Sequence, residues 1–317
     1  MLARFFQSGL GVLILIPVVL LVGAGLIVGY QIRSLTHPVR AVEALHPRDF
    51  LLRSDDISFQ STDGLSLSGW LIHGDREAPV VILAHDLGES KSVFLDSTIP
   101  LQRAGYNVFL FDFRGHGASG GQGSTLGSSE RYDVLGAVDF LRTRRDLSSE
   151  RIGIWGVGMG AYAAVLAALE RKQVVALALD ALYPDVGTYL DQALFKGVPR
   201  EASRVTGYAS VFYGPYFQWK VRRGEAAHAV SQLSDRNLLF VAGEARPSIV
   251  EAAKEFYASV PESELADRNL LLLGSSGVSG LYADDKRKYE EAITGFFGAY
   301  LSVQPDPPAA ALQVEVR

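Results

Sequence analysis

The sequence contains no cysteine, which excludes disulfides, thiolate metal sites and a cysteine nucleophile. Histidine is also scarce, with six in 317 residues: His37, His46, His73, His85, His116 and His228. No histidine follows His228. Any catalytic mechanism that needs an imidazole from the last part of the chain is therefore excluded.

An excess of basic charge is missing as well. Thirty Lys and Arg face 35 Asp and Glu, for a net charge of −5, so the chain offers no sign of the basic face that nucleic-acid binding requires. Hydrophobic residues make up 48% and charged residues 21%, which predicts a folded chain with a large core.

Charge is absent from the run Gly9–Tyr30, which is rich in Leu, Val and Ile. A helix of roughly 20 apolar residues crosses a hydrocarbon core of about 30 Å, and such a helix tolerates one proline such as Pro17. We therefore predict a transmembrane anchor at residues 1–30, with residues 9–30 in the membrane. Arg4 on one side and Arg33 and Arg40 on the other give only a slight preference for an extracytoplasmic domain.

A cleaved signal peptide is the alternative interpretation of this run. Leu10–Val22 would be its apolar region, and Gly23–Gly25 would supply small residues for cleavage. The apolar run continues through Leu26, Ile27 and Val28, which is longer than a signal peptide needs, so an uncleaved single-pass anchor is preferred.

After a polar connector at residues 31–54, buried strands alternate with amphipathic helices, which predicts a mostly parallel sheet covered on both faces. An Asp63-Gly64 turn between two alternating runs predicts an initial hairpin. The domain is expected at residues 55–302, with a small helical cap at about 182–235 and a flexible tail at 303–317. Predicted strands after the hairpin are Val80–His85, Asn107–Asp112, Arg151–Trp155, Val174–Asp180, Asn237–Ala242 and Asn269–Leu273.

Three loops after these strands carry a family signature. Ala84–Ser90 reads A-H-D-L-G-E-S, Phe111–Gly121 reads F-D-F-R-G-H-G-A-S-G-G, and Arg151–Gly160 reads R-I-G-I-W-G-V-G-M-G. In this order the loops resemble the oxyanion loop, the D-x-R-G-x-G-x-S loop and the nucleophile elbow of α/β-hydrolases. The chain is most similar to members of the Bem46 and ABHD type and to S33 serine aminopeptidases. The resemblance implies an α/β-hydrolase fold without a cofactor.

The same resemblance locates a serine, an acid and a histidine, and none of the three is present. The elbow position holds Gly158, the acid position before Pro247 holds Arg246, and the histidine position falls at about Val278. Glycine has no nucleophile, arginine is a permanent cation, and valine cannot accept a proton.

The former oxyanion loop is represented by Asp86, Leu87 and Met159, with Asp86 where the family usually has glycine. A carboxylate there would oppose a developing oxyanion. We therefore predict a membrane-anchored, catalytically inactive member with a binding or scaffolding role. The alternative is an active serine-type ester or peptide hydrolase with an unrecognised site.

Other polar residues near the strand ends have simpler roles. Ser119, Ser275 and Ser276 are expected to cap turns rather than act as nucleophiles. Structural roles are likewise expected for His85, His116 and His228. Together with Asp86 and Asp112 these histidines show no spacing typical of a metal site, so no metal is predicted.

Two further features leave other functions open. Gly156–Ala161 satisfies G-x-G-x-x-[G/A] and Asp180 ends the next strand, as in a dinucleotide site, but that fingerprint normally opens its domain. The cap contains a dense aromatic stretch, for which core packing is the first expectation and an apolar-ligand or partner surface the second. Its members are Tyr208, Phe212, Tyr213, Tyr216, Phe217 and Trp219.

Overall fold

One eight-stranded sheet organises the chain. The computed structural model describes residues 9–41, 45–194, 222–275, 277, 278, 281 and 283–301. The strands are β1 (Ser54–Gln60), β2 (Ser66–Ile72), β3 (Pro79–Ala84), β4 (Asn107–Phe111), β5 (Ser148–Val157), β6 (Val174–Asp180), β7 (Asn237–Gly243) and β8 (Arg268–Leu273).

The strand order is β1-β2-β4-β3-β5-β6-β7-β8. Strand β2 runs antiparallel to β1 and β4, and every other neighbouring pair is parallel. The predicted hairpin turns at Asp63-Gly64, where Gly64 has a φ of 91°. Strand β5 starts three residues earlier than predicted, because Ser148 pairs with Pro79 at the edge of β3.

Helices cover both faces of the sheet. The described residues contain α1 (Gly9–Thr36), α2 (Leu95–Arg103), α3 (Arg131–Thr143), α4 (Met159–Ala168), α5 (Val186–Leu194), α6 (Glu225–Ser231), α7 (Pro247–Ser259) and α8 (Ala283–Leu301), with 3₁₀ turns at Pro47–Phe50 and Lys91–Phe94. One core lies between the sheet and α3, α4, α6 and α7, and the second lies against α2 and α8. Alternate residues of β3 enter opposite cores, Ile82 the first and Leu83 the second.

Helix α1 extends beyond the boundary that the sequence suggested. We expected the anchor to end at Tyr30 and a connector to follow, but the helix continues to Thr36. The continuation is explained by packing, because Ile32 and Thr36 are buried against the domain. By length and composition the segment Leu15–Thr36 could cross a membrane, and a signal sequence would satisfy the same criteria.

The predicted cap is only partly described. Helix α5 opens it and α6 closes it, whereas the aromatic stretch from Tyr208 to Trp219 lies outside the described residues, as does the predicted tail at 303–317. The described part of the cap is helical, as predicted.

A buried ion pair fastens the loop after β3 to the end of β4. The Lys91 ammonium lies 2.6 Å from Asp112 Oδ2, and both side chains are buried. Asp112 also accepts the backbone N–H groups of Lys91 at 2.8 Å and Ala118 at 3.0 Å. Burial alone would raise the pKa of Asp112, but the Lys91 charge and these hydrogen bonds hold it below its ordinary value.

Truncation of this carboxylate should be costly. We expect Asp112→Ala to lower the free energy of unfolding by about 3–5 kcal/mol, because it leaves the Lys91 charge buried and uncompensated. The control is Asp139→Ala, which breaks the half-exposed pair with Arg171 and should cost less than about 1 kcal/mol. Urea unfolding of the two variants measures both costs, and similar losses would contradict the structural role of Lys91–Asp112.

Candidate functional site

The strand-to-helix elbow forms as the sequence predicts. β5 ends at Val157, α4 begins at Met159, and Gly158 between them has φ 51° and ψ −110°, a conformation that residues with a side chain rarely adopt. The flanking glycine Gly160 is also required, because a Cβ there would collide with the Ala84 carbonyl oxygen. The turn that presents a nucleophile in hydrolases is therefore intact, but it presents no side chain.

The Asp86 carboxylate fills the space above this elbow. Its Oδ1 accepts the backbone N–H of Met159 at 2.8 Å and that of Leu87 at 2.7 Å. These are the two kinds of donor that form an oxyanion hole: the amide after the nucleophile position and an amide of the loop after β3. An oxyanion bound at these two amides would have to displace the Asp86 carboxyl group.

The same carboxyl group would have to move to admit a side chain at position 158. A Cβ built on Gly158 would overlap the Asp86 carboxylate carbon and both of its oxygens. Burial raises the pKa of Asp86, while the Met159 and Leu87 amides and the Arg246 charge act in the opposite direction. Asp86 therefore accepts a hydrogen bond at the amino end of α4, where the helix amides favour an anionic oxygen.

Asp180, at the end of β6, links the elbow to the loop that carries Val278. Its backbone oxygen accepts the Gly158 N–H at 2.8 Å. Its Oδ2 accepts the Gly277 N–H at 2.8 Å and the Tyr289 hydroxyl at 2.7 Å. Within the described part of the chain its buried Oδ1 has no hydrogen-bond partner, and burial raises the pKa of Asp180 to about 6.

Arg246 and Val278, the other two positions that the resemblance assigned to the triad, precede α7 and follow β8. Arg246 is exposed and directly precedes α7 at Pro247, and its charge acts on both Asp86 and Asp180 to lower their pKa values. Val278 is partly buried and packs against the second core. Neither side chain can relay a proton, so Gly158, Arg246 and Val278 offer no route for nucleophilic catalysis.

His85 and His116 use both ring nitrogens on backbone groups. His85 accepts the Phe113 N–H at Nε2 and donates from Nδ1 to the Asp86 carbonyl. His116 accepts the Gly88 N–H at Nε2 and donates from Nδ1 to the Arg114 carbonyl. Burial lowers the pKa of His85 to about 3 and also lowers that of His116, so both rings are neutral braces between the loops after β3 and β4.

The remaining candidates have separate locations. Ser119 is buried, donates to the Asp112 carbonyl and accepts the Ser68 N–H, which is the turn-capping role that was expected. His228 is exposed on α6. Ser275 lies after β8, and Ser276 lies outside the described residues.

The glycine pattern Gly156–Ala161 is poorly suited to a dinucleotide. The backbone N–H of Met159, at the start of its helix, already donates to Asp86 Oδ1. A pyrophosphate bound there would have to displace the Asp86 carboxyl group. Asp180, the proposed ribose ligand, is fully buried and bonded to Tyr289. The geometry therefore disfavours this alternative.

The sequence does not predict two features of the site. It suggests Asp180 only as a ribose ligand, although a position at a strand end also indicates contact with the elbow. It suggests Arg40 only as a flanking charge, whereas the Arg40 guanidinium contacts the loop after β4. No sequence pattern signals that contact.

Comparison with known proteins supports the same superfamily. A family described as serine aminopeptidase, S33, matches residues 75–205. A thiohydrolase, aneE, of Aspergillus aculeatus is 33% identical over 122 residues, which cover 38% of this chain and 38% of the relative. The α/β-hydrolase domain-containing protein WAV2 of Arabidopsis thaliana is 29% identical over 176 residues, covering 53% and 56%. The matches therefore span 38% of the length of the thiohydrolase and 56% of the length of WAV2.

Solved structures give the fold. An esterase of Pyrococcus furiosus superposes with a TM-score of 0.67 at 23% identity, covering 84% of this chain and 100% of the esterase. The α/β-hydrolase fold predicted from the loop motifs is therefore confirmed.

Restoring a hydroxyl at the elbow should destabilise the protein unless Asp86 is also removed. We expect Gly158→Ser to lower the free energy of unfolding by about 2–4 kcal/mol, because the new Cβ overlaps the carboxylate and the backbone is strained. The double variant Gly158→Ser with Asp86→Gly should recover at least half of that loss. Urea unfolding of both variants and of Asp86→Gly alone completes the cycle, and additive effects would contradict the contact.

The raised pKa of Asp180 predicts a pH-dependent stability. The folded state binds this proton more tightly than the unfolded state, so the contribution of Asp180 is favourable at low pH and is lost as pH rises from about 4 to about 6. Between pH 4 and 7, Asp180→Asn should therefore gain up to about 3 kcal/mol relative to the unmodified protein. Urea unfolding at both pH values measures the difference, and parallel pH profiles would contradict it.

Proposed function

We propose that this chain, which has the α/β-hydrolase fold, is a membrane-anchored, non-hydrolytic member of that superfamily. Its former active-site region serves for binding, either of an apolar ligand or of a protein partner. The observation that carries the proposal is the Asp86 carboxylate, which accepts both oxyanion-hole amides and lies over an elbow that has no hydroxyl.

The magnitude of the catalytic loss supports this proposal. In subtilisin, removal of the serine or the histidine alone lowers turnover by about 10⁶, and what remains comes from the oxyanion hole and from binding. Here the positions of serine, acid and histidine are Gly158, Arg246 and Val278, and the hole is occupied by Asp86. The residual catalysis that a damaged triad retains would therefore be lost as well.

Membrane attachment is proposed for α1. The helix is long and apolar enough to span a bilayer, and most of its large hydrophobic side chains are exposed outside the domain, for example Leu13, Leu20 and Leu26. Its last turns pack on the domain through Ile32 and Thr36, which favours a retained helix over a cleaved signal. The side of the membrane is proposed as extracytoplasmic, from the flanking charges.

An active hydrolase is the second candidate. The relatives include a thiohydrolase, and the similar solved structures include an esterase, so acyl compounds are the substrate class that such an activity would use. It would need both a new nucleophile and a new base. Within the described residues Ser119 is bonded to backbone groups, and the histidines nearest the elbow, His85 and His116, are committed to loop bracing.

Labelling with a fluorophosphonate probe tests the proposal. We expect no covalent labelling of the purified protein, and labelling of any serine would overturn inactivity. The triple variant Gly158→Ser, Arg246→Asp, Val278→His should also remain unlabelled, because Asp86 still fills the hole. Adding Asp86→Gly to these three changes should permit labelling. Equal behaviour of the triple and quadruple variants would contradict the blocking role of Asp86.

A further inference from the structure

The end of the proposed anchor contacts the loops of the candidate site directly. Thr36, in the last turn of α1, is fully buried, and its carbonyl accepts the Ser124 N–H at 2.7 Å. Ile32, one turn earlier, is 1% exposed. Ser124 lies in the long loop between β4 and α3. The helix therefore ends at the carboxyl edge of the sheet, which is also the edge that carries the elbow.

The residues after the helix continue this contact. The Arg40 guanidinium donates to three carbonyls of the loop after β4: those of Gly117 at 3.0 Å, Ser119 at 2.6 Å and Gly121 at 2.7 Å. Pro38 lies beside Gly88, close enough that a Cβ added there would meet its ring at 3.7 Å. Gly88 follows Asp86 and Leu87, so the connector touches both loops around the site.

These contacts place the carboxyl edge of the sheet closer than the amino edge to the end of α1. Thr36 is six residues after Tyr30, or about 9 Å along a helix. The amino ends of the strands lie one strand length from this edge, about 20 Å at roughly 3.3 Å per residue. Val39, Leu45 and Leu51 add exposed apolar side chains just after the helix, with Val39 93% and Leu51 95% exposed.

We propose that the carboxyl edge of the sheet faces the lipid bilayer, so that the loops around the elbow lie at the membrane surface. This inference rests on the proposed anchoring and adds which edge of the domain meets the lipid. A helix joined through a loose tether would leave the domain free to turn. Here the Thr36 carbonyl, the Arg40 guanidinium and the buried Ile32 fix its orientation relative to α1.

The absence of cysteine allows single labels on the full chain. Gln122→Cys places a label on an exposed residue of the loop after β4, and Lys172→Cys places one on an exposed residue before β6, at the opposite edge. Each variant is labelled with a small fluorophore and reconstituted in phosphatidylcholine vesicles that contain a headgroup spin-labelled lipid. The vesicles are washed with alkaline carbonate before fluorescence is measured.

We expect the protein to resist the carbonate wash and the label at position 122 to be quenched at least twofold more than the label at 172. Retained protein with equal quenching, or with stronger quenching at 172, would overturn the orientation while leaving the anchor intact. Release by carbonate would instead overturn the anchoring on which both proposals rest.

A third variant tests the contacts that hold the orientation. Adding Arg40→Gln to each labelled protein removes the guanidinium that donates to the Gly117, Ser119 and Gly121 carbonyls, without touching the elbow. We expect the quenching ratio to fall toward one while carbonate resistance persists. An unchanged ratio would show that Arg40 does not orient the domain.

Discussion

The hydrogen bonds from the Met159 and Leu87 amides to one oxygen of Asp86 are the contact around which the candidate site is arranged. They cap the amino end of α4, which would otherwise expose unsatisfied donors to a narrow space. They also place the carboxyl group over Gly158, so a Cβ at that position would overlap it unless the Asp86 side chain moved. The backbone oxygen of Asp180 accepts the Gly158 N–H of the same elbow. Its side chain accepts the Gly277 N–H in the loop that carries Val278. One carboxylate thus accounts for the missing side chain and for the filled hole together.

Most of the fold followed from patterns that depend on local physics. Buried strands such as Val80–Ala84 are continuous apolar runs, and the Asp63-Gly64 turn allows a positive φ, so the strands and the hairpin could be predicted. Boundaries were less predictable where a distant partner decides them. Helix α1 continues past Tyr30 because Ile32 and Thr36 find a surface on the domain, and no local pattern contains that surface.

The turn and strand ends that the resemblance assigned to the triad could be predicted, because they have sequence signatures. What occupies the space between them could not. The direction of the Asp86 side chain depends on two amides that lie one residue and 73 residues away. The contact of Arg40 with carbonyls 77 to 81 residues later is equally non-local. Sequence identified Asp86 as unusual, but only the packed structure assigns it to the hole.

The retained motif residues have physical reasons that are independent of catalysis. Gly156 and Gly160 cannot carry a Cβ because backbone of α4 and of Ala84 lies against them. His85 and His116 satisfy buried amides of neighbouring loops, and without them these donors would be unpaired at a cost of about 1–3 kcal/mol each. Packing and hydrogen bonding therefore maintain these glycines and histidines whether or not the chain has a nucleophile, an acid and a base, which only catalysis requires.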